Sequence, residues 1–217
     1  MPLINNQIEF TEEESQLIDN LKAIEDYDHT KWNADSLIDL RSKIRRFYRL
    51  EQQGICAFCK NEISLVAANN ANVEHIAPKS KHLDFMFEPK NLCVICVDCN
   101  IIKRAQEVVD AIETVNAPEG RARYPRASRA FNIVHPHIDE YDDHIKKLGR
   151  IYIDKTMKGH FTIGCCKLNR FYHQFDIEDE FIDDVQLNEL MARFQDSDSA
   201  IEKGQILAQI RDGLINM

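Results

Sequence analysis

The chain has 217 residues, 44% hydrophobic and 29% charged, with only 7 Gly and 6 Pro, which excludes a collagenous or wholly disordered protein. No apolar run approaches the ~18 residues of a membrane span, and the acidic start lacks the basic-then-apolar order of a secretory signal, so a cytoplasmic protein is expected. The net charge of -9 is uneven: residues 1–39 and 174–217 each carry net -8, whereas residues 40–173 carry +7, the sign that phosphate binding needs because each neutralised phosphate releases counterions. The acidic ends read as protein-interaction segments or as solubilising surface.

Thr11 and Glu14 have capping-box spacing, which predicts a helix to about Ile24. A second helix is expected from about residues 33–36. Leu37, Leu40, Ile44 and Phe47 recur at helical spacing, and Arg41, Lys43, Arg45, Arg46 and Arg49 fall largely off that stripe. This amphipathic basic helix closes at Gln53-Gly54, where Gly suits the C-terminal cap. Residues 55–77 are short apolar pieces between cysteines and Asn-rich stretches, which favours strands or knuckles. Ile101, Ile102, Ala105, Val108, Val109 and Ile112 predict one long helix over 98–115. A Pro-, Gly- and Arg-containing loop over 116–131 and a short helix near 139–148 follow. A hairpin is expected between 150–154 and 160–163, turning at Lys158-Gly159. Two or three helices end the chain, the last near 199–213, where Ile201, Ile206, Leu207 and Ile210 suit either a partner's groove or the chain's own core. The expected segments are 1–54, N-terminal and helical; 55–115, a core with bound metal; and 116–217, helical with a small hairpin.

Seven cysteines make an odd number for a disulfide framework. Cys56 and Cys59 form one C-x2-C pair, and Cys96 and Cys99 form another about 40 residues later. Two such pairs close one tetrahedral thiolate site, the structural preference of Zn²⁺. Cys93 makes a competing pair with Cys96; the register with Cys99 is preferred because a helix follows Cys99 directly. Cys165 and Cys166 lack partners at metal spacing and read as core thiols.

Between the pairs lie Glu74-His75-Ile76-Ala77-Pro78-Lys79-Ser80 and Pro89-Lys90-Asn91-Leu92, and after them Asn100 and Lys103. A carboxylate (Glu74) and an amide oxygen (Asn100) are hard ligands, suited to Mg²⁺ or Mn²⁺. Neutral His75 can deprotonate water. Lys103 shares a helix face with Asn100 and can stabilise phosphate charge. Together these groups suit phosphodiester hydrolysis, with the arginines at 121, 123, 126 and 129 as candidate phosphate contacts. Taken alone, Asn91 is a turn residue. His135, His137 and His144 read as packing or capping groups around Pro136 and are assigned no metal.

Over residues 56–103 the order C-x2-C, Glu-His-Ile-x-Pro-x-Ser, Asn-Leu, C-x2-C-Asn-x2-Lys resembles the HNH endonuclease family. The resemblance implies a helix-rich α+β fold around a central zinc-bound ββα-metal (His-Me) finger. It implies His75 as general base, Asn91 holding the hairpin and orienting His75, and Asn100 binding the catalytic Mg²⁺ or Mn²⁺ with Glu74; many members have Asp at the Glu74 position. A second resemblance covers 131–145 and 161–170. These segments are similar to those of PtuB-type HNH nuclease subunits of Septu-type and retron-associated antiphage systems, which implies DNA as substrate and an ABC/SMC-type ATPase as partner. The alternatives are a stand-alone restriction-type HNH nuclease and a non-enzymatic zinc module. The zinc module has no need for Glu74, His75 and Asn100 together.

Overall fold

Local sequence starts the first helix, α1 (Glu12–Lys22). The Thr11 hydroxyl accepts from the Glu14 amide, and the Glu14 carboxylate accepts from the Thr11 amide at 2.8 Å, closing the capping box. Two 3-10 turns, His29–Asn33 and Asp35–Leu37, lead into α2 (Ile38–Glu51). This helix buries Leu40, Ile44 and Tyr48 and ends where Gln53 and Gly54 take positive φ of 54° and 71°. The computed structural model describes residues 3–109, 123–175, 190, 193, 194 and 196–216. They fall into two compact units, Met1–Leu168 and Asn169–Met217.

The first unit is helix-rich α+β. Strand β1 (Asn72–His75) pairs antiparallel with β2 (Leu92–Ile95), Glu74 opposite Cys93 and His75 opposite Leu92. Helix α3 (Val97–Lys103) follows directly, so strand, strand and helix are consecutive along the sheet. Helix α2 packs on both strands, and the core beneath them gathers Ile44, Tyr48, Phe58, Ile76, Phe85, Met86 and the whole of β2. A short helix α4 (Tyr141–His144) runs into a second hairpin, β3 (Ile145–Leu148) with β4 (Ile151–Asp154), and then helix α5 (Met157–Cys166). In the second unit, α6 spans Arg170–Phe175 and α7 spans Ala200–Asn216.

Three sequence expectations are corrected. The helix over 98–115 stops at Lys103, because Arg104 turns left-handed with φ 48°. Val108 and Val109 instead run extended against Asn132 and Phe131, and both are buried there. Tertiary pairing overrides the helical period; residues 110–115 of that expected helix lie outside the described residues. The helix near 139–148 ends at His144. The hairpin turns at Gly149-Arg150, with Gly149 at φ 55°, a two-residue loop matching strand twist. Residues 160–163 belong to α5. Gly159 is there for close approach: a Cβ on it would lie 2.0 Å from the His144 carbonyl oxygen.

Candidate metal centre and active site

The Cys56–Cys59 turn reverses sharply: Lys60 takes φ 54°, its amide donates to the Cys56 carbonyl at 3.1 Å, and the Cys56 amide donates to the Asn61 carbonyl at 2.9 Å. Cys96 caps α3 and Cys99 lies in its first turn. The sulfurs of Cys56, Cys59, Cys96 and Cys99 all lie within 4.8 Å of one another, and all four residues are buried. Backbone amides point at this group, Cys96 N–H to Cys56 Sγ at 3.4 Å and Cys99 N–H to Cys96 Sγ at 3.5 Å, as suits thiolates. Hydrogen bonds among the four sulfurs push the Cys96 thiol down and the Cys99 thiol up. Four converging thiols far from water are the donor set of a closed, structural Zn²⁺-type site. Cys93 is buried on β2 opposite Glu74 and is not in the group, so the register is Cys96 and Cys99. The second hairpin braces the first turn: Tyr141 Oη donates to the Phe58 carbonyl at 2.9 Å and Tyr152 Oη to the Cys59 carbonyl.

The same framework positions Glu74 and His75. Lys103, expected to face phosphate, is fully buried, and its ammonium meets Glu74 Oε1 at 2.5 Å and the His75 carbonyl at 3.3 Å. Burial opposes the Lys103 charge, but the adjacent Glu74 carboxylate outweighs it and raises the ammonium pKa. Burial raises the Glu74 carboxyl, with Lys103 and Lys79 pulling against it. His75 is also buried, its ring edge-on to Trp32 with centroids 4.5 Å apart. Its Nε2 lies 3.0 Å from the Met86 carbonyl. A carbonyl only accepts, so Nε2 carries the proton. Burial, reinforced by Lys79, pushes the imidazole down to about 3; at neutral pH the ring is therefore uncharged and Nδ1 holds the lone pair.

Asn91 is fully buried in the connection between the strands. Its Oδ1 accepts from the Ala77 amide at 2.7 Å, and its Nδ2 donates to the Ala77 and Phe85 carbonyls at 3.0 and 2.9 Å. These bonds tie the segment after His75 to the one that supplies the Met86 carbonyl. Asn100 is half-buried in α3, one turn before Lys103, and its amide group has no hydrogen-bond partner among the described residues. Glu74, His75, Asn91 and Lys103 are thus joined by contacts, with Asn100 on the adjoining helix face.

Sequence reasoning missed three residues here. Gln52, fully buried, clasps β2: its Oε1 accepts from the Val94 amide at 2.7 Å and its Nε2 donates to the Val94 carbonyl at 2.8 Å. Trp32, the only tryptophan, backs His75. Lys79 is half-buried, acts electrostatically on both Glu74 and His75, and has no ion pair among the described residues. A cation five residues after Glu74, in the same loop, was the signal for Lys79.

The three histidines after the site hold structure. His137 N–H donates to His135 Nδ1 at 3.2 Å, so His135 Nε2 is the protonated nitrogen facing Tyr124 Oη at 2.8 Å. His137 Nε2 donates to the Leu92 carbonyl at 2.8 Å, and His144 Nδ1 lies 2.8 Å from Thr156 Oγ1. Of the arginine loop, Arg123, Arg126 and Arg129 are exposed, and Arg121 lies outside the described residues. No described helix is long and apolar enough to cross a membrane. No family model, curated protein or solved structure matches the chain.

Proposed function

We propose that the protein is a metal-dependent HNH-type endonuclease that hydrolyses DNA phosphodiester bonds. The observation that carries this reading is the geometry at His75: its Nε2 is fixed on the Met86 carbonyl, leaving Nδ1 as the ring's proton acceptor, beside a Glu74 carboxylate. A strand–strand–helix unit anchored by four cysteines holds both. In this reading the cysteines hold structural Zn²⁺. Glu74 and the unpartnered Asn100 amide are hard oxygen donors and would hold Mg²⁺ or Mn²⁺. That cation, when bound, supplies positive charge to the phosphate and the leaving oxygen. His75 Nδ1 removes a proton from the attacking water, and Asn91 keeps the ring in place through the Phe85–Met86 segment. Lys103 holds the Glu74 side chain and neutralises it within the protein interior. Lys79 is placed to meet phosphate charge.

The resemblance of residues 131–145 and 161–170 to PtuB-type subunits, with the two acidic ends, supports an ABC/SMC-type ATPase as the partner within an antiphage complex. The test of the nuclease reading is cleavage of plasmid DNA with Mg²⁺ or Mn²⁺ by the wild type and by His75→Ala. The variant should fold, retain zinc and bind DNA, while cleavage falls by roughly 10²–10⁴-fold. Cleavage by His75→Ala at the wild-type rate would refute the assignment.

A further inference from the structure

Helix α2 carries Arg41, Arg45 and Arg49 at steps of four residues, hence on one face and spread over about 12 Å of helix axis. Like charges at this spacing repel one another and destabilise a helix. Among the described residues no carboxylate pairs with any of the three. Arg41 Nη1 donates to the Trp32 and Ala34 carbonyls at 2.6 and 2.9 Å, and Arg49 Nη1 donates to the Leu65 carbonyl at 2.6 Å. Those bonds to neutral acceptors orient the two outer guanidiniums without discharging them. Arg45, between them, has no hydrogen bond or ion pair among the described residues, and its Nε is buried without a partner, as is that of Arg49. Burial and then the charges of Arg49 and Arg41 lower the Arg45 pKa, with no carboxylate opposing, so the three charges act on one another directly. By contrast, Lys43 on the same helix is paired with Glu14 at 2.6 Å.

The strip is linked to the candidate active site through Trp32. Arg41 holds the carbonyl of Trp32, whose ring packs 4.5 Å from that of His75, and α2 lies against β1. We propose that Arg41, Arg45 and Arg49 form a phosphate track, a sequence-independent site for the sugar–phosphate backbone of the nucleic-acid strand that His75 addresses; the identity of the ligand rests on the nuclease reading. Phosphates of one strand recur about every 3.4 Å of duplex axis and the three guanidiniums about every 6 Å of helix axis, so the row spans about four phosphates and each guanidinium meets roughly every second one. A regular row of unpaired arginines suits that repeating anion better than a single acidic side chain of a protein partner. Arg45, with no protein partner to lose, contributes charge to the ligand alone.

The test uses the full chain carrying His75→Ala, without added Mg²⁺ or Mn²⁺. Fluorescence anisotropy follows binding to a short duplex and to the matching single strand between about 50 and about 200 mM salt. Adding Arg45→Gln should weaken binding about tenfold at about 50 mM salt, on the duplex and on the single strand alike, and should reduce the salt slope by about 0.9 on the duplex and about 0.7 on the single strand. Arg45→Met, which keeps the aliphatic stem, should do the same, and zinc content and melting temperature should not fall. Lys155→Gln, which removes an equal charge just after β4, should leave the slope unchanged. Binding with the wild-type slope in both Arg45 variants overturns the track, as does the absence of DNA binding at about 50 mM salt. Cleavage by the wild-type chain is scored separately. A chain that binds through Arg45 but never cuts keeps the track and loses the nuclease reading. One that cuts while Arg45→Gln binds normally does the reverse.

Discussion

Replacing Asn91 by alanine probes how the site is held. In the native chain one side chain with no solvent exposure makes three hydrogen bonds of 2.7–3.0 Å to the backbone of Ala77 and Phe85. Alanine leaves the Ala77 amide and the Ala77 carbonyl short of a partner, each at about 1–3 kcal/mol, while the Phe85 carbonyl keeps the Glu88 amide at 3.2 Å. The Ala77 carbonyl has a second lone pair and some room to re-pair, so the expected loss is about 2–5 kcal/mol, a large share of the 5–15 kcal/mol typical of a domain. Urea unfolding followed by fluorescence of Trp32 is the assay, because that single indole packs on His75 and reports the site as well as the fold. The midpoint should fall with the slope unchanged. Asn91→Asp keeps the acceptor for the Ala77 amide but sets a carboxylate against two carbonyls. Its folded pKa is raised above the unfolded value, so its stability is best below the unfolded pKa and is lost as pH rises through the folded one. A loss below about 1 kcal/mol in Asn91→Ala would refute the reasoning, since two buried groups left without a partner cost about 1–3 kcal/mol each.

Elemental analysis should find one zinc per chain; Cys96→Ser should lose it and unfold, while Cys93→Ser should retain it, because metal binding contributes to folding free energy. Stability should fall as pH drops below about 6.5: burial lowers His135 far below its usual value and His137 to about 4, so only the unfolded chain takes up those protons. The contribution is complete above the unfolded pKa and disappears as pH falls towards about 4. Urea titrations at successive pH values should show His137→Gln flattening that dependence by up to about 1.4 kcal/mol per pH unit. Gly159→Ala gains about 1 kcal/mol of helix propensity but forces a Cβ against the His144 carbonyl oxygen at 2.0 Å. Overpacking wins, and thermal melting should show a net loss of about 2 kcal/mol or more.

What could be read from sequence was local. Thr11 and Glu14 are three residues apart, and their reciprocal bonds need nothing else from the fold. The two cysteine pairs declare their spacing in the same way. The failures depended on distant partners. Val108 and Val109 fit a helical stripe until Phe131 and Asn132 offer them extended pairing. Lys158-Gly159 looks like a turn because a glycine needed for contact with His144 is indistinguishable, in sequence, from one needed for φ. Lys103 lies on the expected helix face, yet whether a lysine there meets solvent or Glu74 depends on β1, which is 28 residues back in the chain.

The site's stiffness has to come from outside its strands. Each strand of the β1–β2 hairpin has four residues, too few for independent stability in water. Its outer edge is β2, and side chains occupy the hydrogen-bonding groups that a third strand would use. Gln52 takes both the amide and the carbonyl of Val94, and His137 takes the carbonyl of Leu92. Leu92 and Val94 are two residues apart and so present their backbone groups to the same edge. That edge is closed to other chains, and β2 cannot shift by one residue without abandoning three bonds. Asn91 fixes the loop end of the hairpin and the four cysteines fix the opposite end, where Ile95 passes into Cys96. Clamped at both ends and along one edge, the hairpin has one remaining long side, and that side carries β1. Glu74 and His75 are therefore positioned by pairing with the clamped β2 and by their own bonds to Lys103 and Met86.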